Sequence, residues 1–267
     1  MFILSKRTFL KATAIITLAP LAHTASAQIS TASALNRAGR FRALSQRTAK
    51  AYCQLQQEVM PENARDILAS AQRLMQLGFD ELNKAALAND GTRLLNALQL
   101  DATGLTAIVA SAPTRDGVVS ASAQADKMLL TADKLMLVIE AAAKQPSAKL
   151  MNVAGRQRML SQRLAKNYFL LAAGSESKAS HEQLVADRAE FKQAMSTLSG
   201  APISTSAIRN ELQLAQSQWV FFEAALNRKP DMDSLRNIAT ASERLLEVNN
   251  NLTVFYEAAL KDLLGTT

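Results

Sequence analysis

Apolar residues recur along the chain at helical spacing. Ile67, Leu68, Leu74, Met75 and Leu82 form one stripe, and Met128, Leu129, Leu135, Val138 and Ile139 form another. Steps of three and four residues place such side chains on one face of a helix. Glycine and proline separate these segments, at Pro61, Asn89-Asp90-Gly91, Pro113 to Gly117, Pro146, Gly174, Gly200-Ala201-Pro202 and Pro230. Proline lacks the N–H that a helix interior needs, and glycine favours the turn that ends one. Spacing and breaks together predict an all-α chain of about eight helices.

One stretch occurs twice. Residues 36–50 and 152–166 share the pattern N-x-A-G-R-x-R-x-L-S-Q-R-x-A-K, with Gly39 and Gly155 separated by 116 positions. Ala125, Leu129, Leu130, Val138, Ala142 and Ala143 recur at the same offset as Ala241, Leu245, Leu246, Val254, Ala258 and Ala259. Three arginines, a glycine and an S-Q-R triplet in one register indicate an internal duplication. Each repeat starts with the arginine-rich helix and ends with an alanine- and leucine-rich one. Short loops favour antiparallel neighbours, so the expected fold is two tandem four-helix up-down bundles. They span 28–145 and 146–267, joined at Lys144-Gln145-Pro146-Ser147.

A helical wheel divides the repeated helix into two sides. Phe41, Leu44, Thr48, Tyr52 and Leu55 share one side, as do Leu160, Leu164, Tyr168 and Leu171, and these face a four-helix core. The opposite side carries Gly39, Arg42, Gln46 and Ala49 beside Ala38 and Ser45, matched by Gly155, Arg158, Gln162 and Ala165 beside Ala154 and Ser161. Arg40, Arg47, Arg156 and Arg163 lie at the flank, placed to snorkel or to pair with carboxylates of neighbouring helices. A small, polar back face lets a second helix approach closely. If the two motif helices pair, Arg42 and Arg158 meet. Facing guanidinium groups repel, and burying them is costly unless an anion lies between them. Arginine presents a planar fork of donors suited to a small oxyanion. Gly39 and Gly155 would clear space for that anion, and Gln46 and Gln162 could add donors. The alternative is an arginine face that is solvated or salt-bridged. A glycine inside a helix costs about 1 kcal/mol relative to alanine, so its presence in both copies points to a packing reason.

The first residues change where this chain is expected to work. Lys6, Arg7 and Lys11 precede an apolar run to about Ala22, and Ala25-Ser26-Ala27 is a small-x-small cleavage pattern. The run is short and holds Pro20, whereas a span needs about 20 apolar residues. Residues 1–27 therefore read as an export signal cleaved near Ala27, with the periplasm as destination. Ser5-Lys6-Arg7-Thr8-Phe9-Leu10-Lys11 also resembles a twin-arginine signal with lysine in place of the first arginine. Three of the net +7 charges lie in that leader. The remaining excess is mild and, with export, argues against nucleic acid. Cys53 is the only cysteine, so no intrachain disulfide can form. His181 is the one histidine after the leader. No metal-ligand cluster, haem-attachment motif or phosphate loop occurs, so neither cofactor nor enzyme is expected.

The two motif segments resemble the signature of the NarX/PilJ-type sensor domain, the periplasmic part of nitrate/nitrite sensor kinases and of type IV pilus chemotaxis transducers. The second copy is the closer match; the first departs at Ala43 and Thr48. The resemblance implies a four-helix bundle that dimerises through its first helix. It also implies a nitrate or nitrite ion held on the dimer axis by the arginine three residues after the glycine. By position those arginines are Arg42 and Arg158, with Gly39 and Gly155 beside them. Here a tandem repeat stands where the family has a homodimer, so the halves pair either within one chain or between chains. The leading expectation is a binding or sensory module for nitrate, nitrite or a similar oxyanion, reporting to a membrane receptor or transducer. The other is an interaction protein that docks a receptor or pilus component without a ligand, with Trp219, Phe221, Phe222 and Tyr256 as candidate anchors.

Overall fold

A computed structural model describes residues 29–203 and 205–264. The export signal expected at 1–27 lies outside the described residues. The chain is all-α: α1 (Thr31–Gln56), α2 (Pro61–Leu82), α3 (Asn89–Val109), α4 (Arg115–Ala143), α5 (Pro146–Ala172), α6 (Lys178–Ser199), α7 (Ser206–Leu226) and α8 (Met232–Leu264). The helices begin where local chemistry favours it. Pro61 and Pro146 occupy first-turn positions, where a missing N–H costs nothing. Ser30, Thr114, Ser177 and Thr205 accept hydrogen bonds from the exposed N–H groups of α1, α4, α6 and α7. None of the described helices is long and apolar enough to cross a membrane.

Helices α1–α4 pack among themselves, as do α5–α8, and the most extensive contact between the two groups is α1 on α5. The polypeptide passes from one group to the other at Lys144, in a left-handed conformation with φ 51°. The predicted core faces of α1 and α5 are buried except at Leu55 and Leu171, which are half-buried, and so are the opposite faces that carry Gly39 and Gly155. Between Ala34 and Gln54, only Arg37, Arg40 and Arg47 keep partial exposure. A helix buried on both sides must reconcile an apolar core with a polar interface, and the motif does so by face. The hydrophobic core runs continuously through both groups.

The last helices correct one expectation. Motif positions repeat at 116, but α2, α3 and α4 begin 117 positions before α6, α7 and α8, because the α5–α6 loop is one residue longer than the α1–α2 loop. Burial follows the new offset: Val118, Ala121, Met128, Leu129, Leu135 and Ile139 match Leu235, Ile238, Leu245, Leu246, Leu252 and Tyr256. The 116-offset matches in these helices, such as Ala125 with Ala241, reflect alanine- and leucine-rich composition rather than equivalent places.

Candidate functional site

Where α1 crosses α5, each motif arginine reaches across to the other helix. Arg42 donates from Nη1 to Asn152 Oδ1 at 2.8 Å and from Nη2 to the Asn152 carbonyl at 3.2 Å. Arg158 does the same to Asn36, at 2.9 Å and 3.3 Å. Both side chains are buried, each residue being 1% exposed. The guanidinium ends converge on the glycines. A Cβ on Gly155 would stand 3.3 Å from both Nη2 atoms, and one on Gly39 would stand 3.3 Å from that of Arg158 and 3.4 Å from that of Arg42. Any side chain there would crowd the pair, which explains two glycines kept inside helices despite their conformational cost.

Arg42, Arg158, Gly39 and Gly155 thus come together. Gln46 and Gln162 sit one turn further on and are committed elsewhere. Gln46 Nε2 donates to the Ala125 carbonyl at 3.2 Å and to Asp126 Oδ1 at 3.1 Å, and Gln162 Nε2 donates to the Ser242 carbonyl at 2.8 Å. Their amide nitrogens tie the motif helices to α4 and α8, while both Oε1 atoms stay without a partner among the described residues.

The motif's two end residues also matter, although the wheel assigned them no role. Asn36 and Asn152 accept the crossing arginines and pass the connection outward, through their amide nitrogens, to Glu257 and Glu140. Lys50 and Lys166 are buried across the interface. Lys50 Nζ donates to Glu243 at 2.6 Å and Ser242 at 3.0 Å, and Lys166 Nζ donates to Asp126 at 2.6 Å. The signal was available, since asparagine opens and lysine closes both copies of the string.

Flanking arginines pair as expected of them: Arg47 with Glu243, Arg156 with Glu190 and Asp133, and Arg163 with Asp187. Arg40 is the exception, with no hydrogen bond or ion pair among the described residues. Burial would raise the Glu243 carboxyl, but Lys50 and Arg47 hold it at about 2, below its ordinary 4.5. A carboxylate whose folded value is depressed stabilises the fold above its ordinary pKa and stops doing so as pH falls through the folded one. Thermal melts should therefore show stability falling between about pH 4.5 and pH 2, and Glu243→Gln should reduce that slope. An unchanged slope would remove Glu243 from the acid response.

The electrostatics of the crossing arginines are unequal. Burial lowers the pKa of Arg42, but Asp133 opposes it, with Oδ1 2.9 Å from Nη1. Arg158 is pushed well below its ordinary value, first by burial and then by Arg40 and Arg42. No described carboxylate forms an ion pair with it; beyond Asn36, its side-chain partner is Asn250 Oδ1 at 3.5 Å. Elsewhere the chemistry is quiet. Cys53 is buried and its thiol is pushed up to about 12 by burial, so it packs as a small apolar group. Among the described residues, no three or more His, Cys, Asp or Glu side chains cluster to hold a metal ion. Trp219, Phe222 and Tyr256 are core, while Phe221 is 69% exposed.

No curated protein and no solved structure matches this chain. One family model does, over residues 141–249, described as the type IV pili methyl-accepting chemotaxis transducer N-terminal domain, PilJ. The match covers α5, α6, α7 and α8 as far as Asn249, and so includes the second motif helix with Gly155 and Arg158. Residues 141–249 are accordingly a PilJ-like domain, similar to the sensory module at the front of a pilus chemotaxis transducer.

Proposed function

We propose that this protein is an exported, periplasmic sensory module that binds one small oxyanion, nitrate or nitrite, through the arginines of its two motif helices. In this reading residues 28–145 are a second, more divergent copy of the domain at 146–267. The tandem then provides within one chain the helix pair that a homodimer would otherwise form. The leader would direct export, and the bound state would be reported to a membrane receptor or transducer. One observation supports this most: Arg42 and Arg158, each 1% exposed, converge over two glycines, where an added Cβ would stand 3.3–3.4 Å from their Nη2 atoms. Burying like charges together costs several kcal/mol per ion unless counter-charges are present; Asp133 supplies one for Arg42, and a small anion would supply the one that Arg158 lacks.

Calorimetric titration of the mature chain with sodium nitrate, nitrite, chloride and sulfate tests this. Binding of nitrate or nitrite is expected, and the double variant Arg42→Met/Arg158→Met should abolish it. A folded mature chain that binds none of these anions would end the proposal. The exposed pair Val220 and Phe221, 63% and 69% accessible on α7, favours a second reading in which a partner protein docks without any ligand. Capture of a specific membrane receptor, unaffected by added anion and lost in Phe221→Ser, would favour that reading.

A further inference from the structure

Two ladders of polar residues flank the motif helices, one on α4 and one on α8. On α4 they are Asp126, Asp133 and Glu140, seven residues apart; at the 117 offset α8 presents Glu243, Asn250 and Glu257. The outer rungs do the same work in both halves. Asp126 and Glu243 hold the buried lysines, and Glu140 and Glu257 hold the crossing asparagines. The middle rung differs. Asp133 bridges two arginines from different helices, Arg42 at 2.9 Å and Arg156 at 3.3 Å. The corresponding arginines of the other half are Arg158 and Arg40, and the corresponding rung is the neutral Asn250, whose Oδ1 lies 3.5 Å from Arg158 Nη1. At this rung a carboxylate in the first half is an amide in the second.

The deficit is made good only in part: Glu257 favours the charge on both Arg158 and Arg40, and Glu81 that on Arg40, but neither carboxylate forms an ion pair with either arginine. Arg156 also pairs with Glu190; the position matching Glu190 is Arg73, which is exposed. Arg158 has only amide and carbonyl oxygens as partners, and Arg40 has none among the described residues. Beside Asn250, the wholly buried Asn249 keeps both amide atoms without a partner, where the first half has Ala132. Asn250 also lines a groove of about 520 Å³ along α8, with Arg47, Met60, Asn63 and Glu247 among its other walls.

We infer that a single small carboxylate or planar oxyanion binds off the pseudo-axis beside Asn250, bridging Arg158 and Arg40 as the Asp133 carboxylate bridges Arg42 and Arg156. The first repeat thus carries its occupant covalently, as an aspartate side chain, and the second takes it from solution. This rests on the anion-binding reading and gives it a location, a stoichiometry of one and a size, that of a carboxyl group. A side-chain carboxylate and a bound anion make the same planar two-oxygen contact with a guanidinium fork, so Asn250→Asp should install the missing rung and exclude the ligand.

The experiment titrates the mature chain and two variants with sodium nitrate, nitrite, formate and acetate, with chloride and sulfate as controls. The wild type should bind one equivalent, and the order of affinities separates an inorganic oxyanion from an organic carboxylate. Asn250→Asp should weaken binding at least ten-fold while melting at a higher temperature in anion-free buffer. Arg40→Gln, a change at a mostly buried side chain that forms no ion pair, should also weaken binding about ten-fold and keeps the test decisive should the aspartate variant misfold. If folded Asn250→Asp or Arg40→Gln binds with wild-type affinity, the off-axis site is overturned while anion binding at the Arg42–Arg158 crossing survives. If the wild type binds none of the probes, both readings fall.

Discussion

Replacing Phe41 by alanine is expected to cost about 3–5 kcal/mol of unfolding free energy. The ring is wholly buried and packs against Phe79, with centroids 4.4 Å apart. It also lies directly over Gly78, where an added Cβ would stand 2.8 Å from Cζ. Contacts that close cannot be absorbed by a ring confined on every side. Gly78→Ala should therefore destabilise by about 1–3 kcal/mol through overpacking, offset in part by the roughly 1 kcal/mol that alanine gains over glycine in a helix. In a Phe41→Leu background the alanine no longer meets Cζ, and the same substitution should become neutral or stabilising. Urea unfolding of the four chains in this cycle measures the coupling. Equal costs of Gly78→Ala in both backgrounds would show that the ring is not what keeps position 78 a glycine. The contact also serves the site, because it seats α1 on α2 and turns the face with Gly39 and Arg42 toward α5.

Much of this was legible in the sequence, for reasons that particular residues make plain. Pro61 and Pro146 mark helix starts because proline is at home only in the first turn. The wheel separated Phe41 from Arg42 because an α-helix of this length has two faces to satisfy. Three things were harder to see. Asn36 and Lys50 find their partners on α8, at Glu257 and Glu243, and nothing within the motif says which helix will cross there. Gln46 and Gln162 looked like free donors on the back face, but α4 and α8 pass close enough for backbone carbonyls to take their amide protons. The register of α8 against α4 was misread by one residue, because apolar positions in an alanine- and leucine-rich helix align almost as well one place away. A shift of one residue turns a helix by about 100°, enough to hide that Asn250 stands where Asp133 does. The acids themselves settle it, since Asp126 and Glu140 find functional counterparts only at Glu243 and Glu257.

In anion-free buffer, Arg42→Met is expected to lower stability by about 3 kcal/mol and Arg158→Met by distinctly less. The two arginines are matched in burial and in their crossing bonds to asparagine, so each variant leaves one amide oxygen, buried at Asn36 and half-buried at Asn152, and one carbonyl short of a donor. They differ in charge balance. Removing Arg42 breaks its ion pair with Asp133, and removing one partner of a buried pair costs about 3–5 kcal/mol. Asp133 keeps Arg156 at 3.3 Å, and its side chain is 28% exposed, which places the cost at the lower end of that range. Removing Arg158 breaks no ion pair and relieves a desolvated charge that Arg40 and Arg42 oppose. The thioether of methionine fills much of the same volume without needing a counter-charge. Denaturant unfolding in fluoride-free, low-chloride buffer measures the difference. A loss at Arg158 equal to that at Arg42 would mean that its charge is already compensated, and would argue against the anion site proposed beside Asn250. With a saturating anion the comparison should change, because ligand stabilises a fold by binding its native state alone. The wild type and Arg42→Met should then gain stability while Arg158→Met does not, so the repeat whose arginine lacks a carboxylate is the one that responds to the ligand.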